Sequence, residues 1–82
     1  MARVLKKKPT LTIEQKRVRL GMYIAGLRKQ SHETLKSIEA KTGIPGANVF
    51  RIEQGQSMKF EDAITLANFF ECSLGDLAVF LS

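Results

Sequence analysis

Between Leu35 and Gly55 the chain reads Leu35-x-x-Ile38-x-x-x-x-Gly43-Ile44-x-x-x-x-Val49-x-x-Ile52-Glu53-x-Gly55, and this spacing limits the fold more than any other feature. Ile38, Ile44, Val49 and Ile52 recur at intervals that put them on the inner faces of two short helices. Gly43 stands between the two, where a sharp interhelical turn needs a backbone that glycine adopts freely. Ile44-Pro45-Gly46 reads as the turn itself, and Pro45 suits a helix start because its missing amide would be unpaired there. The expectation is two helices, residues 35–42 and 46–54, crossing steeply with the second leaning outward. A major groove is wide enough to take one such helix.

The flanking segments supply the rest of an all-α domain. Thr12-x-x-Gln15 has the spacing of a capping box, and Leu20, Ile24 and Leu27 follow at helical intervals with Tyr23 beside them. That helix ends in Arg28-Lys29, which suits the negative end of its dipole. Gly21 and Gly26 each weaken it by about 1 kcal/mol relative to alanine, so it needs tertiary support. Thr34 is the expected cap of the second helix, and Gly55 closes the third. A fourth helix is expected over residues 60–70, with Phe60, Ile64, Ala67 and Phe70 inward. Ser73-x-x-Asp76 opens a short fifth helix carrying Leu74, Leu77, Phe80 and Leu81. No segment alternates like a strand. Residues 1–11 read as a flexible basic arm, and residues 12–82 as the folded domain.

Charge is unevenly spread over the 82 residues, whose net charge is +5. Residues 1–30 hold nine basic residues and one acid, Glu14, whereas residues 31–82 hold four basic residues and seven acids. A basic first third favours a polyanionic partner. One cysteine, Cys72, makes no internal disulfide, and with one histidine, His32, it makes no four-ligand metal site. Cys72 reads as a half-buried small residue and His32 as an exposed one near the turn before the second helix. Carboxylates scattered over helix faces give no paired acid and base, so an enzyme is not expected, nor a cofactor. No apolar run approaches the length of a membrane span, and the N-terminus lacks the apolar core of a secretory signal.

Five landmarks in register resemble a known family. Leu20-Gly21 with Ile24 and Leu27-Arg28, then Gly43-Ile44, then Arg51-Ile52-Glu53-Gln54-Gly55, then Leu66-Ala67, then Ser73-Leu74-Gly75-Asp76-Leu77 are similar to the helix-turn-helix domain of the phage repressor and Cro type, the XRE family. The resemblance covers residues 20–81. It implies a five-helix, lambda-repressor-like DNA-binding domain whose third helix is the recognition helix. It also implies that Pro45, Gly46, Ala47, Phe50, Arg51 and Gln54 face DNA, with Asn48 nearby. Thr34, Lys36 and the loop from Gln54 to Lys59 would meet phosphates, and the arm residues Arg3, Lys6, Lys7 and Lys8 would lie along them. The family pairs an arginine of its first helix with the glutamate before the closing glycine, here Arg28 with Glu53, as a structural ion pair.

Plainer readings stand beside these. Phe50 also suits a core or dimer contact, Arg51 a surface salt bridge with an acid one turn away, and Gln54 a solvated amide. Lys36 and Lys41 also suit solvated helix faces. The sequence departs from the family at four places. Leu35 stands where glutamine is usual and Lys59 where serine commonly caps the fourth helix. Pro45-Gly46 replaces polar residues at the start of the third. Glu39 stands where alanine is usual, and its carboxylate must turn outward or widen the crossing.

The functional expectation is a DNA-binding transcriptional regulator, a repressor that occupies a palindromic operator as a homodimer through its C-terminal helices. Its partner is double-stranded DNA and its setting is the cytoplasm, on a prokaryotic or phage-encoded nucleoid, with no membrane role. The alternative is an antitoxin-type module that neutralises a partner protein, such as a toxin, and autoregulates its operon. Phe69, Val79, Phe80 and Leu81 are the exposed surface expected for either kind of protein contact.

Overall fold

The structure, a computed structural model, describes residues 11–78. They form five helices and no strand: α1 (Ile13–Gln30), α2 (Leu35–Thr42), α3 (Gly46–Glu53), α4 (Phe60–Phe69) and α5 (Leu74–Ala78). The arm residues Arg3, Lys6, Lys7 and Lys8, and the C-terminal Val79, Phe80 and Leu81, lie outside the described residues.

Local sequence sets where these helices start. At α1 the Thr12 hydroxyl accepts from the Gln15 amide at 3.1 Å, and the Gln15 side chain accepts from the Thr12 amide at 2.9 Å. Ser73 and Asp76 make the same reciprocal pair at α5, both bonds at 3.0 Å. At α2 the reciprocating side chain is Ser37, a residue shorter than the glutamate or glutamine usual there. α3 and α4 begin at Pro45 and Lys59, and neither side chain caps its helix. Pro45 is thus the residue just before the first helical one.

The helix ends are equally defined. After α3 the Gly55 amide donates to the Ile52 carbonyl and the Gln56 amide to the Arg51 carbonyl, each at 3.0 Å. This closing motif needs a left-handed residue, and Gly55 supplies it with φ 93°. His32 and Glu71 take the same role after α1 and α4, with φ 59° and 58°. Each side chain there costs about 1 kcal/mol relative to glycine. Gly43 ends α2 at φ 84°, as the turn requires.

The core is assembled from all five helices. Leu20 and Ile24 of α1, Ile38 of α2, Ile44 of the turn, Val49 and Ile52 of α3, Ala63, Leu66 and Ala67 of α4, and Leu77 of α5 are buried together. α3 packs between α1 and α2, α2 also meets α4, and α4 meets α5. Leu27, expected inward, is only half-buried.

α4 corrects the sequence reading. Phe60 and Ile64 are 67% and 39% exposed, and the inward face is Ala63, Leu66 and Ala67 with Phe70 packed at its edge. The apolar residues of α4 occupy more than one face, so their spacing alone did not fix its rotation; two alanines let the helix approach the core closely. Phe69, expected to be exposed, is half-buried, and its ring meets that of Phe70 edge to face with centroids 5.1 Å apart. α4 also ends one residue earlier than expected, at Phe69, and α3 at Glu53.

The two glycines of α1 have opposite roles. A Cβ on Gly21 would stand 2.4 Å from the Ile52 carbonyl oxygen and 2.7 Å from that of Glu53, both backbone atoms. Gly21 is where α3 lies directly against α1. A Cβ on Gly26 would meet nothing within 4 Å. Gly21→Ala is therefore expected to destabilise the domain by about 3 kcal/mol through forced separation of α1 and α3. Gly26→Ala is expected to stabilise it by about 0.5–1 kcal/mol through helix propensity. Urea unfolding of the two variants measures both signs, and equal effects would contradict this packing.

Candidate nucleic-acid interface

Helix geometry sorts the residues of α3 into two faces. Val49 and Ile52 are buried at 0% and 3% exposure. Ala47, Phe50, Arg51 and Gln54, on the opposite side of the same turns, are exposed, Phe50 by 49%. Gly46 and Asn48 lie half-buried at the flanks. The rod that the sequence placed outward is outward.

Arg51 makes no ion pair among the described residues. One of its terminal nitrogens donates to the Asn48 side-chain oxygen one turn back on α3. That bond orients the guanidinium along the exposed face and leaves its other donors unused within the described residues. Phe50, being half exposed, is no core residue. Gln54 ends the exposed face at the C-cap.

The second helix borders the same side. Thr34 and Lys36 are exposed at its start, although the Thr34 hydroxyl is engaged in capping. Leu35 is half-buried against the core and offers no polar anchor. Lys41 is not a free surface cation: its ammonium reaches Glu33 at 3.0 Å. Hydrogen bonding from Ser37, then from Lys41, lowers the Glu33 pKa below its ordinary value. Beside α3 an open cleft is lined by Asn48, Arg51, Ile52, Gln56, Ser57, Met58, Lys59 and Asp62. Arg51 and Lys59 bring two positive charges to this cleft against the one carboxylate of Asp62, and Lys59 is exposed.

What fixes α3 in place is the pair between Arg28 and Glu53. The Arg28 Nε donates to Glu53 Oε2 at 2.7 Å and its Nη2 to Glu53 Oε1 at 3.1 Å, a two-pronged contact. A third donor, Nη1, reaches the Glu33 carbonyl at 3.3 Å. The Glu53 side chain is only 5% exposed and that of Arg28 18%. Hydrogen bonding to Glu53 raises the Arg28 pKa above its ordinary value despite the opposing effect of burial. The bridge ties the end of α1 to the end of α3 and to the start of the α2 segment.

The Cro/C1-type HTH DNA-binding domain matches residues 24–81, well over half of the chain. The chain belongs to the Cro/C1-type helix-turn-helix family. No curated protein and no solved structure matches it. The match begins at Ile24, within α1, so the first turns of that helix precede it. α2 and α3 are the helix-turn-helix of this family member, and the unit is a DNA-binding domain.

Other chemistries find little support. No cluster of three or more His, Cys, Asp or Glu among the described residues suits a metal ion. Burial and then the Asp76 carboxylate push the Cys72 thiol pKa up, which disfavours the reactive thiolate. No helix among the described residues is long and apolar enough to cross a membrane.

Three features escaped the sequence reading. Close approach at Gly21 has no local signature, because the glycine serves a contact made 31 residues later in the chain. The Ser37 half of the α2 capping box uses an unusual residue. Glu39, expected to point away or spread the helices, does neither: its Oε1 accepts from the Gly46 amide at 2.8 Å.

Replacing one member of the ion pair strands the other charge. Arg28→Ala and Glu53→Ala are each expected to cost about 3–5 kcal/mol, and the double variant less than the sum of the two. A double-mutant cycle by chemical denaturation checks this; additive effects would show that the bridge contributes nothing of its own.

Proposed function

We propose that this helix-turn-helix protein is a sequence-specific transcriptional regulator, a repressor that binds a two-fold operator as a homodimer. The observation that carries the reading is the exposed face of α3, where Arg51 is oriented by Asn48 and meets no acid among the described residues. In this reading α3 lies in the major groove, Arg51 donates to the O6 and N7 of a guanine, and Gln54 pairs with an adenine edge. Phe50 and Ala47 meet thymine methyls. Thr34 and Lys36 at the start of α2, and Lys59 beyond α3, approach the phosphates on either side, with Arg3, Lys6, Lys7 and Lys8 along the strand. Pro45 and Gly46 let the helix start close to the duplex.

Repression follows by occlusion: a dimer on its operator denies the promoter to polymerase. Phe60 and Ile64, exposed side by side on α4, support self-association through the C-terminal helices. Such a dimer would span half-sites about 34 Å apart. The protein acts in the cytoplasm of a prokaryote or a phage-infected cell and needs no catalysis. The exposed pair on α4 also supports the second reading, an antitoxin-type module that holds a partner protein while repressing its own operon.

Selection of bound duplexes from a random pool, followed by anisotropy titrations, tests this. The selected site should be two-fold symmetric and bound with marked salt sensitivity. Arg51→Ala should relax preference at one base pair by about 1–3 kcal/mol, while Lys36→Ala should weaken all sites alike. A uniform loss from Arg51→Ala would refute its role, and the absence of any selected sequence would refute the function. Light scattering of the free protein decides between a dimer of this chain alone and a monomer awaiting a partner.

A further inference from the structure

The start of α3 carries no polar side chain of its own: Pro45, Gly46 and Ala47 stand there, and Pro45 makes no cap. Its first amide is nevertheless satisfied, by the Glu39 carboxylate reaching across from α2 to Gly46 at 2.8 Å. The fit is close. A Cβ at position 46 would stand 3.3 Å from Glu39 Oε1 and 3.3 Å from the Leu35 carbonyl oxygen, so glycine lets the two helices close on this bond. Glu39 is exposed, and neither ion pair among the described residues involves it. Its charge is therefore unneutralised at the edge of the exposed face, and its second oxygen has no protein partner among the described residues.

A helix N-terminus with an open amide attracts any phosphate, whatever the sequence around it. Here the place is taken by a carboxylate from the same chain. We propose that Glu39 is a selectivity residue: it occupies the anion-binding end of α3 and repels the DNA backbone there, so that binding depends on the base contacts of Arg51 and Gln54. Two effects act together. The hydrogen bond sets the crossing of α2 and α3, and the charge penalises sequence-independent attachment. The inference rests on the DNA-binding reading above and specifies how that interface discriminates.

The test uses the full chain with the selected duplex and a scrambled duplex of equal length, titrated by anisotropy at two salt concentrations. Glu39→Gln keeps an oxygen that accepts from Gly46 but removes the charge. It is expected to melt close to the wild type, to bind the scrambled duplex about fivefold more tightly at low salt, and to lose selectivity in proportion. Its salt slope should steepen by up to about one unit per protomer. Glu39→Ala, which also opens the amide, should melt at lower temperature and gain at least as much on the scrambled duplex. Unchanged or weaker binding of the scrambled duplex by both variants, with the wild type binding in a salt-dependent manner, overturns the role of Glu39 alone. If the wild type binds neither duplex, the DNA-binding reading falls and this inference with it.

Discussion

The grip of α1 on α3 is the contact on which the rest of the domain depends. It has an apolar part, a backbone part and an ionic part within one short stretch. Leu20 and Ile24 bury against Val49 and Ile52 in the common core, and Gly21 lets the last carbonyls of α3 lie against α1. One turn further on, Arg28 holds the Glu53 carboxylate with two hydrogen bonds. Each part needs the others. Without the glycine the helices separate and the ion pair is stretched; without the ion pair a nearly buried carboxylate is left uncompensated. The result is a short helix held along one side only, whose opposite side is free for contact.

That one-sided support explains how an eight-residue helix can hold its place while leaving one face exposed. Alone it would be too short to form in water. Its stability comes from Val49 and Ile52 inward, from the closing motif at Gly55, and from a carboxylate borrowed from α2 at its start. None of these uses the side chains of Ala47, Phe50, Arg51 or Gln54. The residues that stabilise the helix and the residues it exposes thus lie on different faces of the same turns.

Much of this was legible in the sequence, for identifiable reasons. Caps and closing residues are local, so Thr12 with Gln15, Ser73 with Asp76, Gly43 and Gly55 disclosed the helix boundaries to within a residue or two. The outward face of α3 followed from the spacing of Val49 and Ile52. The rotation of α4 did not follow, because Phe60 and Ile64 are as apolar as its true inner face and only the close approach permitted by Ala63 and Ala67 decides between them. The contact at Gly21 was likewise hidden, since a glycine in a helix looks like a weakness until its neighbour from a distant segment is known. Glu39 stands out in the sequence as a departure from its family, but its role does not, because its partner is a backbone amide, and amides carry no label in a sequence.

DNA is proposed to meet the protein at the outer face of α3. Backbone amide shifts of isotopically labelled protein, followed by NMR as a selected duplex is added, test it residue by residue. The largest changes are expected at Ala47, Phe50, Arg51 and Gln54, with smaller ones at Lys36 and Lys59 and little change at α5. Changes centred on Phe60 and Ile64, with α3 silent, would show that the duplex is held by another surface and would contradict it.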